Sequence, residues 1–192
     1  MIRDSVLNEI AESMPITFPE GHHDLWRIYS DGNRLRRLIE ILVAPFRSDV
    51  DIIVGGEARG FLLGGMAALH LGIPFVPVRK PGTFLPGSKL TCMSDPDWEQ
   101  KQTLFSIQKH AIQPNQRALI VDDWYTTGSQ AKALQQLIQR AGGSCVGVAV
   151  IVEEGDDMLG QRIGPLHALL RWQDSSGEFS VSPFNRLHFT LA

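Results

Sequence analysis

The sequence predicts an open α/β fold, a mostly parallel twisted sheet flanked by helices. Three observations carry this reading. Four apolar, β-branched runs have the length of strands covered on both faces; helical patterns separate them; and one run ends in two adjacent acids and a turn that opens a helix.

In chain order, residues 33–45 are expected to form the first helix of the alternation, and Asp51-Ile52-Ile53-Val54 its first strand. A helix over 59–71 and a strand from Ile73 to Val78 follow. Residues 79–116 contain Pro81, Gly82, Pro86, Gly87 and Pro96, with few apolar residues before Leu104, and part of this stretch is expected to be a long mobile loop. Ala118-Leu119-Ile120-Val121 is the next strand. Between Ser129 and Ala141, residues Ala131, Leu134, Leu137, Ile138 and Ala141 recur at helical spacing, and Gly142-Gly143 supplies the stop. Val146 to Val152 is the last strand of the pattern. The first 30 residues and the chain after Gly155 fit the alternation poorly; 1–30 and part of 156–192 are read as additions packed over one end of the sheet. The chain, 1–192, is read as a single domain.

Eighteen Lys plus Arg against 21 Asp plus Glu give a formal charge of −3, without the basic excess that binding nucleic acid by charge needs. Any phosphate site is therefore local. There is no basic segment followed by an apolar signal core at the amino terminus, and no apolar run of membrane-spanning length, so a soluble cytoplasmic protein is expected. Cys92 and Cys145 lack metal-ligand spacing and read as unpaired thiols. The adjacent His22 and His23 lack the spacing of paired helical ligands, so no residue is assigned to a metal.

The segment from Ala118 to Gln130 carries the most chemistry. Carboxylates such as Asp122 and Asp123 accept hydrogen bonds from vicinal hydroxyls, and successive N–H groups at a helix start accept a phosphate. Gly128 permits close approach, and Thr126, Thr127 and Ser129 offer hydroxyls. A sugar phosphate suits this arrangement. An acidic pair of the receiver-domain kind with a plain Thr-Thr-Gly-Ser helix cap is the alternative that these residues leave open.

This segment resembles the thirteen-residue phosphoribosyl pyrophosphate (PRPP) motif of type I phosphoribosyltransferases. Val54 to Gly64 and Phe75 to Gly82 resemble the corresponding parts of adenine phosphoribosyltransferases, and the likeness spans roughly residues 16 to 155. The resemblance implies that fold, with a small hood over the carboxyl end of the sheet. It implies transfer of a 5-phosphoribosyl group from PRPP to a nitrogen base, most similar to adenine-type purine salvage, with a nucleoside monophosphate and pyrophosphate as products. It further implies a homodimer, and Mg²⁺ held mainly through PRPP.

On that resemblance, Asp122 and Asp123 orient the ribose hydroxyls, and Thr126, Thr127, Gly128, Ser129 and Gln130 anchor the 5′-phosphate. Gly56, Glu57, Ala58 and Gly60 form the pyrophosphate loop, often with a cis peptide that does not precede proline, while Arg59, Arg79 and Lys80 receive the departing pyrophosphate. Leu25, Trp26 and Trp124 are the candidates for contact with the base, and closure of a loop within about 83–103 would exclude water. Adenine enzymes carry a Glu near the end of that loop where Ser106 stands here; Asp97 or Glu99 could replace it, with a solvated loop charge as the preferred reading. A module that senses PRPP without turnover, and a transferase for another base, are the alternative functions.

Overall fold

The start of the sheet is fixed by one ion pair. Arg117 donates from Nε to Oδ2 of Asp51 at 3.0 Å and from its terminal nitrogen to Oδ1 at 2.9 Å, while its backbone N–H reaches Oδ2 at 2.8 Å. This planar, two-pronged contact sets two parallel strands side by side in register, Ile52 opposite Ala118. The computed structural model describes residues 2–12, 16–17, 22–82, 84–154, 164–173 and 178–182.

The elements are α1 (Ile2–Glu12), β1 (Ile16–Thr17), β2 (His22–His23), a 3₁₀ segment Leu25–Ser30, α2 (Gly32–Val43), β3 (Ile52–Gly56), α3 (Arg59–Leu71), β4 (Phe75–Val78), β5 (Lys89–Met93), β6 (Leu104–Gln108), β7 (Arg117–Tyr125), α4 (Ser129–Arg140), β8 (Ser144–Glu154), β9 (Leu166–Gln173) and β10 (Glu178–Val181). The main sheet runs β10-β9-β8-β7-β3-β4, parallel throughout except for β10 at its edge. Helices cover both faces, as the apolar strand runs require.

Two cores result. Ile53, Leu119, Val121, Ala149 and Ile151 pack toward α1, α2 and α3, whereas Ile52, Val54, Ile120, Val148 and Val150 pack toward α4 and the β5–β6 ribbon. Each fully buried aliphatic side chain adds roughly 2 kcal/mol. Asp31 starts α2 by accepting from the N–H groups of Asn33 and Arg34 at 2.9 and 3.0 Å. From β3 the chain moves outward to β4, then returns to place β7 on the other side of β3. The carboxyl ends of β3 and β7 thus flank a reversal of strand order, where open α/β sheets bind ligands.

Four expectations change. Residues 2–12 form a helix whose Leu7 and Ile10 are buried in the core on a sheet face, so this part of 1–30 does not cap the sheet end. Beyond 155 the described residues include two strands of the main sheet, and the rest of the expected capping segment within 156–192 lies outside the described residues. The stretch 79–116 contains an antiparallel ribbon, Lys89–Met93 with Leu104–Gln108, which packs Cys92, Phe105 and Ile107 into the core. Finally, β7 runs through Tyr125, so both acids lie within the strand. Among the described residues no helix is long and apolar enough to cross a membrane.

Candidate active site

The loop after β3 lies against the end of β7 because glycine allows it. A Cβ on Gly55 would sit 2.2 Å from the Gly60 carbonyl oxygen, and one on Gly60 would sit 3.1 Å from Oδ1 of Asp122. Gly56 faces the Gln130 amide and Oδ2 of Asp122. The Glu57–Ala58 peptide is cis. Glu57 ties the loop to the next strand: its N–H donates to the Val78 carbonyl at 3.0 Å, its Oε2 accepts from the Lys80 N–H at 3.0 Å, and Arg79 Nε lies 3.4 Å from the same oxygen.

Facing this loop are the two acids, both nearly inaccessible to solvent. Asp122 Oδ1 accepts from the Asp123 N–H at 3.0 Å, and Oδ2 accepts from the Gln130 amide. Burial, reinforced by the neighbouring Asp123 charge, raises the Asp122 carboxyl well above the usual carboxylate range. Asp123 Oδ2 lies 2.7 Å from Arg59 Nε, but it is buried and no donor points at it with hydrogen-bond geometry. A buried carboxylate oxygen without a donor fits a hard cation that brings phosphate oxygens and waters as its other ligands. Among the described residues no group of three or more His, Cys, Asp or Glu side chains is placed to hold a metal by itself.

After β7 the chain turns through Thr126 and Thr127, and Gly128 takes the left-handed φ of 75° that redirects it into α4. Thr127 Oγ1 donates to Ser129 Oγ at 3.0 Å and accepts from the Ser129 N–H at 3.3 Å. The remaining N–H groups of this helix start are available to an anion.

These parts line one cleft of about 1280 Å³. Its walls include Glu57, Ala58, Arg59, Lys80, Asp122, Asp123, Trp124 and the whole of Thr126 to Gln130, together with Leu25 and Trp26 of the 3₁₀ segment. Gly56 and Gly60 stand behind the wall as the contacts that let the loop approach. Arg79 departs from the expectation: it does not line the cleft, and its guanidinium lies 5.6 Å from the centroid of the Phe61 ring. Leu25 is buried and Trp26 exposed, its ring tilted on Tyr29 at 5.7 Å.

Several wall residues came from no motif. Trp98 and Asp97 reach the cleft from the β5–β6 connection, and Glu154 and Trp172 from the ends of β8 and β9. Asp97 Oδ1 accepts from the N–H groups of Glu99 and Lys101 at 2.9 and 2.8 Å, and Glu99 pairs with Lys101, so both loop carboxylates shape their own turn. Ser106 exchanges backbone hydrogen bonds with Arg79 at 2.9 and 3.0 Å and serves the ribbon rather than the cleft. Tyr29 has a buried hydroxyl without a hydrogen-bond partner; burial, with the Asp123 charge nearby, raises its titration.

The model of the family described as phosphoribosyl transferase domain matches residues 27–166. The adenine phosphoribosyltransferase of Desulfitobacterium hafniense is 41% identical over 133 residues, which cover 69% of this chain and 75% of that protein. Among solved structures, the adenine phosphoribosyltransferase of Rhodothermus marinus superposes with a TM-score of 0.77 at 34% identity, covering 88% of this chain and 99% of that one. The Saccharomyces cerevisiae enzyme, solved with an iminoaltritol bisphosphate and adenine, gives a TM-score of 0.75 at 31% identity over 86% of this chain and 98% of that one.

Proposed function

The chain belongs to the phosphoribosyl transferase family and is a phosphoribosyltransferase, and from that premise we propose that it joins adenine to the 5-phosphoribosyl group of PRPP, releasing AMP and pyrophosphate. The observation that carries the site is the juxtaposition of two strand ends. The acids of β7 and the amino end of α4 face the Glu57–Arg59 loop across the β3/β7 reversal.

A base nitrogen attacks the anomeric carbon as the bond to pyrophosphate breaks, and positive charge builds on the ribose ring. Asp123 accepts from the ribose hydroxyls and stabilises that charge. Asp122, held by the Asp123 N–H and the Gln130 amide, keeps the pair aligned. The N–H groups and hydroxyls of Thr126 to Gln130 anchor the 5′-phosphate at the start of α4. Arg59 and Lys80 take up the negative charge of the leaving pyrophosphate, while Arg79, held to Glu57, keeps the loop in place. Catalysis is then mainly positioning and electrostatics.

When bound with PRPP, Mg²⁺ would neutralise charge on the pyrophosphate, and Asp122 and Asp123 are the carboxylates that would lie beside it. The β5–β6 connection carries Trp98 over the cleft and excludes water from the reacting centre. Leu25, Trp26 and Trp124 supply flat apolar contact for the base. The whole chain works as one domain in the cytoplasm and as a homodimer, for which the exposed Leu62 and Leu69 of α3 offer an apolar stripe; sedimentation of a strict monomer at assay concentration would remove that part of the reading.

The test is pyrophosphate release from PRPP and Mg²⁺ with adenine, guanine, hypoxanthine, xanthine, uracil and orotate in turn. Release with adenine above the others supports the reading; release with a different base reassigns the substrate. PRPP binding without release across the panel makes the protein a sensor.

A further inference from the structure

One part of the cleft wall has no role in the PRPP contacts: Trp124, Trp172 and the carboxylate of Glu154. Two indoles, Trp124 and Trp172, are apolar there, and Glu154 is the acid beside both. Trp124 Nε1 donates to Oε2 of Glu154, which fixes the carboxylate, and Phe179 braces the wall from behind with its ring 6.4 Å from Trp124 and 5.0 Å from Trp172. Strand register places Glu154 directly beside Trp172. Among the described residues, Oε1 of Glu154 receives no hydrogen bond.

An ionised carboxylate is acceptor-only, and one held against apolar rings selects a partner that brings an N–H. We propose that Glu154 determines base specificity by accepting from an exocyclic amino group of the base, which favours a 6-aminopurine over a 6-oxopurine. This rests on the transferase reading above. A carbonyl at the same edge sets oxygen against oxygen and leaves the acid unpaired, which is how a hydrogen-bonding site rejects an analogue that lacks the donor. Trp124 acts through Glu154, holding one oxygen so that the other points at the ring.

Wild type, Glu154→Gln and Glu154→Leu are compared for kcat/KM with adenine and hypoxanthine, with melting temperature as the check on folding. Glu154→Gln, which loses the charge but keeps the shape, is expected to lower the adenine-to-hypoxanthine ratio by about 10- to 100-fold, with the KM for PRPP unchanged. Glu154→Leu is expected to lose the preference altogether. A ratio within about twofold of wild type in a folded, active Glu154→Gln protein overturns the assignment. If wild type turns over no base, the transferase reading is what fails. The ratio of AMP to IMP affinity, read by tryptophan quenching, then decides the role of Glu154 by the same criterion: a lowered ratio in Glu154→Gln supports it, an unchanged one refutes it.

Discussion

Arg59 Nε lies 2.7 Å from Oδ2 of Asp123, so the cation at the start of α3 and the acid near the end of β7 neutralise each other across the cleft. The same two side chains are the ones assigned to adjoining parts of PRPP, to the pyrophosphate and to the ribose. The two charges are paired with each other, and binding of PRPP is expected to part them. Tyr29 of the 3₁₀ segment has a buried hydroxyl that feels the Asp123 charge.

Arg59→Ala removes the pyrophosphate contact and leaves a buried carboxylate without its countercharge. PRPP affinity, measured calorimetrically with Mg²⁺, is expected to fall roughly 10- to 100-fold. Because Arg59 is 37% exposed, the loss of folding stability is expected to be modest, about 1–2 kcal/mol. Unaltered PRPP affinity would place the pyrophosphate elsewhere.

Two glycines in neighbouring elements predict opposite outcomes. Gly55→Ala puts a methyl 2.2 Å from the Gly60 carbonyl, which is backbone and cannot swing away, and is expected to cost about 1–3 kcal/mol. Gly65→Ala, in α3 with nothing within 4 Å, is expected to stabilise by about 0.5–1 kcal/mol through helix propensity. Thermal melts of the two variants check both signs.

The parallel sheet was readable from Ile52, Ile53, Val54 and their counterparts, because strands buried on both faces must be apolar without interruption. Strand β9 was not, since His167 breaks its run; that ring is fully buried and within 3.2 Å of the Ile41 carbonyl, a partner 126 positions away. The β5–β6 ribbon hid for a different reason: only alternate residues, Cys92, Phe105 and Ile107, face the core, and prolines and glycines surround it. Asp122, Asp123 and the Thr126–Gln130 turn were legible as one contiguous segment. Glu154, Trp172, Trp98 and Tyr29 join the cleft region only through topology, and Arg79, adjacent to Lys80, turns away to Glu57 and Phe61 through contacts that spacing does not encode.

All four tryptophans of the chain, Trp26, Trp98, Trp124 and Trp172, line the cleft. Intrinsic fluorescence should therefore change on binding PRPP with Mg²⁺, and Trp98→Phe should remove the part that reports closure, since Trp98 is 62% exposed before it. An unchanged spectrum at saturating PRPP would argue against closure of the β5–β6 connection.

Burial and the Asp123 charge raise the Asp122 carboxyl in the folded chain, so the folded state holds a proton that the unfolded chain has released. That contribution to stability is complete below the ordinary carboxylate pKa of about 4 and is lost as pH rises through the raised folded value. Asp122→Asn has no such proton to lose. Its melting temperature relative to wild type is therefore expected to climb as pH increases from about 4 to about 8, whereas a constant difference would mean that Asp122 is ionised throughout.

The most direct measurement is the rate of AMP formation from adenine, PRPP and Mg²⁺ by wild type and by Asp123→Asn. The account predicts that wild type makes AMP, that Asp123→Asn is slower by roughly 100-fold or more, and that the two melt within a few degrees of each other. Equal rates in the two folded proteins would contradict the assignment of Asp123 to the ribose and, with it, the site described between β3 and β7.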